Sequence, residues 1–151
     1  MTKHGKVFIS SEAPLPSDLA HLAVPVAPHR LHEALAFAAL CVTDGQSMAG
    51  EAAVLGVPSV RLASSSGRLA VLRELQDRYG LVFEFGPGED RAFMHKVEEL
   101  AVAADASVWQ ERRAALLADK CDLTTWMLDF CSTLRPRARK RAARRVQPAS
   151  P

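Results

Sequence analysis

The chain has 151 residues, 48% of them hydrophobic and 24% charged, the balance of an ordinary globular domain rather than of a disordered or membrane-embedded chain. Its net charge of +2 hides an asymmetry: residues 135–151 hold seven of the 19 basic residues and no acid, so residues 1–134 carry twelve basic against seventeen acidic groups, a net −5. The longest apolar run, Ala34 to Val42, has nine residues against the ~20 that a spanning helix needs, which excludes a transmembrane helix.

In chain order, Lys6 to Ser10 reads as a short strand around Val7, Phe8 and Ile9, without the long apolar core of a signal peptide. Pro14, Pro16 and Ser17 mark a loop, and Leu22 to Ala27 is a second short, extended segment. From His29 to Ala39, Leu31, Leu35, Ala36 and Ala39 recur at helical spacing behind Pro28. Leu40 to Val42 is a strand, Asp44-Gly45 a break, the following Ala/Leu pattern a helix ending at Gly56, and Pro58 to Leu62 a second strand. A loop of three serines and Gly67 precedes a helix from Leu69 to Tyr79, with Gly80 at its end. Leu81 to Phe85 is the last strand, and Asp90 caps a helix running to about Ala104. Two more helices follow, Ala106–Ala118 and Leu123–Leu134. This alternation predicts an α/β fold, a Rossmann-like parallel sheet with helices on both faces and helices at the carboxyl end. Cys41, Cys121 and Cys131 are odd in number and lack paired spacing, and the five histidines lack ligand-like spacing. Neither a disulfide framework, a zinc site nor another cofactor is indicated, and the reading is a cytoplasmic protein.

The residues from Asp44 to Glu51 carry the chemistry. In an open parallel sheet, the loop at a strand's carboxyl end meets the next helix's amino end, where unpaired N–H groups and the helix dipole favour an anion. Ser47 suits the N-cap, and Gly45 lets the backbone turn and approach a ligand. Ser47 and Glu51 are four apart and share a helix face. A hydroxyl and N–H groups for phosphate, with a carboxylate one turn deeper for a sugar hydroxyl, make a workable nucleotide-sugar site. The same pattern also describes a plain βαβ turn with Glu51 solvated.

Five segments together resemble a known family: Ile9 to Glu12, Leu31 to Leu35, Asp44 to Pro58, Leu75 to Val82 and Asp119 to Thr125. In order and spacing they are similar to the carboxyl half of the domain of unknown function 354 family. That family is in turn similar to UDP-N-acetylglucosamine 2-epimerases and GT-B glycosyltransferases. The resemblance implies a carboxyl-terminal GT-B-type half in which Asp44, Gly45, Gln46, Ser47 and Met48 hold phosphate and Glu51 accepts ribose hydroxyls. A single glutamate stands where the epimerases carry a pair. It also makes Glu12, His32 and Arg61 candidate crevice residues. Arg61 would either neutralise a phosphate or form a surface ion pair, Glu12 would follow a strand into the crevice, and His32 has the alternative of a helix-surface histidine.

The same resemblance implies an amino-terminal domain and a first strand–helix unit that this chain does not show. A truncated product, a subunit of a split protein and a mis-started reading frame are the readings that follow. Two functions stand at this point. One is the sugar-nucleotide-binding half of a glycosyltransferase- or epimerase-like protein that depends on a missing domain or partner chain. The other is a non-catalytic remnant or interaction module, its basic tail, residues 135–151, touching nucleic acid or anionic surfaces. That tail has little to bury and is expected to be disordered, with no interleaved aromatics to mark a specific binding arm.

Overall fold

The computed structural model describes residues 4–103 and 105–145, with side chains to Leu134. By its internal contacts the chain falls into two units, Met1–Leu117 and Ala118–Pro151.

The first unit is built on three parallel strands, β1 (Cys41–Thr43), β2 (Ser59–Leu62) and β3 (Val82–Phe85), in the order β1-β2-β3. Cys41 pairs with Ser59, and Ser59 with Val82, so consecutive strands are neighbours throughout. Parallel neighbours require crossovers, and helices supply them. α1 (Leu31–Ala36) leads into β1, α2 (Gln46–Leu55) joins β1 to β2, and α3 (Ala70–Asp77) joins β2 to β3. α4 (Asp90–Val102) and α5 (Ala106–Asp119) follow β3.

Side-chain alternation along the strands assigns each residue to a face. Ser59, Arg61, Val82 and Glu84 point to the α2/α3 side, where Val82 joins a core with Ala49, Ala53, Leu72 and Leu75. Val60, Phe83 and Phe85 point the other way and pack with Val97, Leu100 and Phe93 of α4. Both faces are therefore covered, as a parallel sheet requires. A third cluster, Leu35, Cys41, Ala52 and Val57, fastens α1 and β1 to α2. Alanines at the buried positions of α2, namely Ala49, Ala52 and Ala53, let that helix lie close to the strands.

α2 ends at Gly56, whose φ of 78° is left-handed and whose N–H closes the helix on Ala52 and Ala53 carbonyls. A Cβ there would meet Gln110 and Arg113 of α5 at 2.7 and 2.8 Å. α5 clamps the crossovers from outside: Arg113 Nε donates to the Val54 carbonyl at 2.7 Å and Arg112 Nη1 to that of Gly80 at 2.7 Å.

Several sequence expectations shift. Val7–Ile9 does not enter the sheet. Ile9 forms only an isolated parallel bridge with Ala23, through Ile9 N to Leu22 O and Val24 N to Ile9 O, because the prolines at 14, 16 and 25 leave too short an uninterrupted run to extend a ladder. β1 is thus an edge strand, with Val42 exposed. The expected helix from His29 begins as a 3-10 turn, Pro28–Arg30, and α1 stops at Ala36. The N-cap of α4 is Glu89 rather than Asp90.

The second unit consists of the end of α5 and α6 (Leu123–Arg145). Asp122 starts α6: its carboxylate accepts hydrogen bonds from Thr124 N at 2.9 Å and Thr125 Oγ1 at 2.7 Å. Those bonds, the Thr125 side chain's first, hold its carboxyl below the usual aspartate range. The backbone of α6 continues helically eleven residues beyond Leu134, into the stretch whose composition suggested disorder; Arg and Ala are good helix formers, and composition does not separate a solvated helix from coil. Residues 146–151 and the contacts of the basic side chains lie outside the described part.

Candidate functional site

The carboxyl end of β1 delivers the chain to the amino end of α2, as the strand–loop–helix pattern implied. The cap differs from expectation: Gly45, at φ −79° and ψ 132°, is the N-cap, and Ser47 is the second helical residue. Gly45 therefore occupies ordinary extended backbone rather than a turn that only glycine can make. What it contributes is the lack of a side chain. No side chain caps this helix end, and no acid stands in its first turn.

A helix start normally satisfies its orphan N–H groups with a Ser, Thr, Asp or Asn side chain. Here the Gly45 N–H donates to Thr43 Oγ1 at 2.9 Å, and the first helical bond runs from Ala49 N to Gly45 O. The N–H groups of Gln46, Ser47 and Met48 precede that bond and point out of the helix end. Asp44, Gln46 and Ser47 are exposed around them. Met48 is different: it packs against the Leu35, Cys41, Ala52 and Val57 cluster, so its side chain anchors the helix while its N–H belongs to the open end.

Arg61 is the largest departure from the sequence reading. It is neither at the surface nor open to a ligand. Its Nη1 donates to Glu84 Oε1 at 2.6 Å, with side-chain exposures of 4% and 3%. Its Nη2 donates to Ser65 Oγ at 2.7 Å and its Nε to the Asp44 carbonyl at 3.0 Å. Glu84 Oε2 in turn accepts from Gly67 N at 3.3 Å. One buried guanidinium thus ties the β1–α2 loop, the β2–α3 loop and β3 together, and its charge is matched by Glu84. The physical reason is register: Arg61 and Glu84 are direct partners on adjacent strands and face the same side.

Glu51 and His32 are brought together. His32 Nε2 lies 3.0 Å from Glu51 Oε2, the side chains 63% and 40% exposed, so α1 contributes a ring beside the carboxylate of α2. Glu51 also acts inward. Burial first, and the Glu51 charge second, push the Cys41 thiol up to about 11, which leaves it neutral and poorly nucleophilic near neutral pH. Glu12 is exposed in an irregular segment after the isolated Ile9 bridge, and so does not sit at the carboxyl end of a sheet strand.

Thr43, Ser65 and Glu84 shape the site without having been singled out by the motif. Arg61 and Glu84 carry a readable signal, since each is the lone charge in its strand. Among the described residues no group of three His, Cys, Asp or Glu side chains could hold a metal ion, and no helix is long and apolar enough to cross a membrane. Comparison with family models, with curated proteins and with solved structures finds no match to this chain.

Proposed function

We propose that the β1–α2 loop binds the phosphate groups of a nucleoside diphosphate, and that the chain acts as the sugar-nucleotide-binding half of a glycosyltransferase- or epimerase-like protein. One observation carries this: the α2 amino end, at the carboxyl edge of a parallel sheet, is left uncapped by any side chain. Its N–H groups and dipole suit an anion. The loop is held in place by Arg61 through the Asp44 carbonyl and by Thr43 through the Gly45 N–H, so the donors need no reordering on binding.

In this reading the N–H groups of Gln46 to Met48 and the Ser47 hydroxyl hold phosphate, and Glu51, one turn deeper beside His32, accepts ribose hydroxyls. Arg61 positions the loop rather than touching phosphate. The exposed Asp44 carboxylate opposes the anion and limits affinity. The resemblance to the epimerase- and GT-B-like family supports the choice of a sugar nucleotide over other phosphates.

Calorimetric titration with UDP, a UDP-sugar, a GDP-sugar and inorganic phosphate tests the assignment. The expected Kd is micromolar to millimolar, about 4–8 kcal/mol. Glu51→Gln should weaken the nucleotides about tenfold, the worth of one charge-assisted hydrogen bond, and leave inorganic phosphate unchanged. An equal loss for both ligands would remove Glu51 from the ribose role, and no heat with any nucleotide would remove the proposal.

A further inference from the structure

We propose that α6 docks on an anionic lipid surface, as a helix lying in the interface rather than spanning it. Leu123, Trp126, Met127, Phe130 and Leu134 recur at steps of three and four residues, which places them on one stripe of the helix. All five are exposed, by 60, 53, 50, 49 and 43%. Two of them form a stacked aromatic pair on that stripe, Trp126 and Phe130, with centroids 5.3 Å apart and rings 5° from parallel.

The other side of the same twelve residues is polar. It carries Thr125, Asp129 and Ser132, with Thr133 at the edge of the stripe next to Trp126, and the hydroxyls are satisfied within the helix start or the helix itself: Thr125 Oγ1 to Asp122, Ser132 Oγ to the Asp129 carbonyl and Thr133 Oγ1 to the Phe130 carbonyl. Leu128 alone departs from the pattern, at 67% exposed. At 1.5 Å per residue the stripe is about 18 Å long, well short of a bilayer core.

Charge chooses the occupant. Directly after Leu134, seven of the eleven residues from 135 to 145 are Arg or Lys, and the backbone remains helical to Arg145. A short apolar stripe holds a protein at a membrane only weakly, and stable attachment needs a second signal such as a basic cluster. Four to eight cations on or beside such a helix meet the negative potential of anionic headgroups, Trp126 suits the headgroup boundary, and Phe and Leu suit the apolar face of an interfacial helix. Nucleic acid would satisfy the cations but leave Leu123, Met127 and Leu134 in water. A parallel pair of these helices would bring fourteen cations side by side.

The test uses the full chain with vesicles of phosphatidylcholine alone or mixed with phosphatidylserine, read by co-sedimentation and tryptophan emission. The expected result is binding at least about tenfold tighter to the mixed vesicles, weakened by added salt, with a blue-shifted emission. Phe130→Asp should cut that binding by about tenfold or more, whereas Leu128→Asp, at a more exposed position off the stripe, should stay within about twofold. Both variants should keep the wild-type circular dichroism. Four outcomes would overturn the proposal: no sedimentation with the mixed vesicles at low salt; binding that Phe130→Asp leaves intact; a concentration-dependent dimer without vesicles that Phe130→Asp abolishes; or a single-stranded RNA that displaces the vesicles and is itself lost with Phe130→Asp.

Discussion

Replacing Arg61 with Met probes how the loops around the α2 amino end are held. The substitution keeps most of the volume but removes three donors: one to Glu84 at 2.6 Å, one to Ser65 at 2.7 Å and one to the Asp44 carbonyl at 3.0 Å. It also strands the Glu84 carboxylate, only 3% exposed, opposite an apolar side chain. Breaking a buried pair by removing one partner costs about 3–5 kcal/mol, most of it the penalty of the remaining charge. At about 2–4 °C per kcal/mol for a chain of this size, the midpoint should drop by roughly 6–20 °C. Adding Glu84→Leu to Arg61→Met removes the stranded charge and should restore part of that loss, giving a coupling of about 1–3 kcal/mol. Glu84 N donates separately, through the backbone, to Gln76 Oε1 at 2.8 Å, so that contact survives in both variants. Urea unfolding of the two single variants and the double variant measures each quantity. A loss below about 1 kcal/mol for Arg61→Met, or strictly additive effects, would refute the buried-clamp reasoning.

Gly56→Ala should destabilise by about 1–2 kcal/mol, because a Cβ at φ 78° is strained even if the Gln110 and Arg113 side chains swing aside, and denaturant melts will read it. His32→Ala removes an exposed contact to Glu51 and should cost less than about 1 kcal/mol of stability, as thermal melts can check. Cys41 favours the protonated form in the fold, so the unfolded chain loses its proton first, from about pH 9.0, while the folded chain holds it to about pH 11. Stability should therefore fall as pH rises through that window, by roughly 2–3 kcal/mol, and Cys41→Ala should flatten the fall. Asp44→Asn should tighten nucleotide binding about two- to fivefold by removing a like charge beside the helix end, measured by calorimetry.

The parts of the fold that the chain announces are those where one signal has one meaning. The Leu40–Val42 run, the break at Asp44-Gly45, the alanine-rich helix to Gly56 and the Pro58–Leu62 run reappear as β1, α2 and β2 within a residue or two, because apolar period and glycine punctuation agree. Val7–Ile9 has strand composition but no neighbour long enough to pair with it, and pairing is a tertiary fact. Serine is the better capping residue, so the sequence points to Ser47 as the cap of α2; the observed cap lies two residues earlier, at Gly45, which makes no side-chain bond. Arg61 illustrates the opposite case: its partner is 23 residues away, and only the strand register places the two side by side. The contact of His32 with Glu51 likewise depends on how α1 lies on α2, which no local pattern encodes.

Backbone amide shifts of the labelled chain during titration with UDP and UDP-sugars test the central claim most directly. Nucleotide binding at the α2 amino end should give saturable shifts confined to Gly45 through Glu51 and to His32, reached with a micromolar to millimolar Kd and smaller with inorganic phosphate. Unmoved amides at Gly45 to Glu51 with every nucleotide, or shifts elsewhere in the sheet with these residues silent, would contradict it.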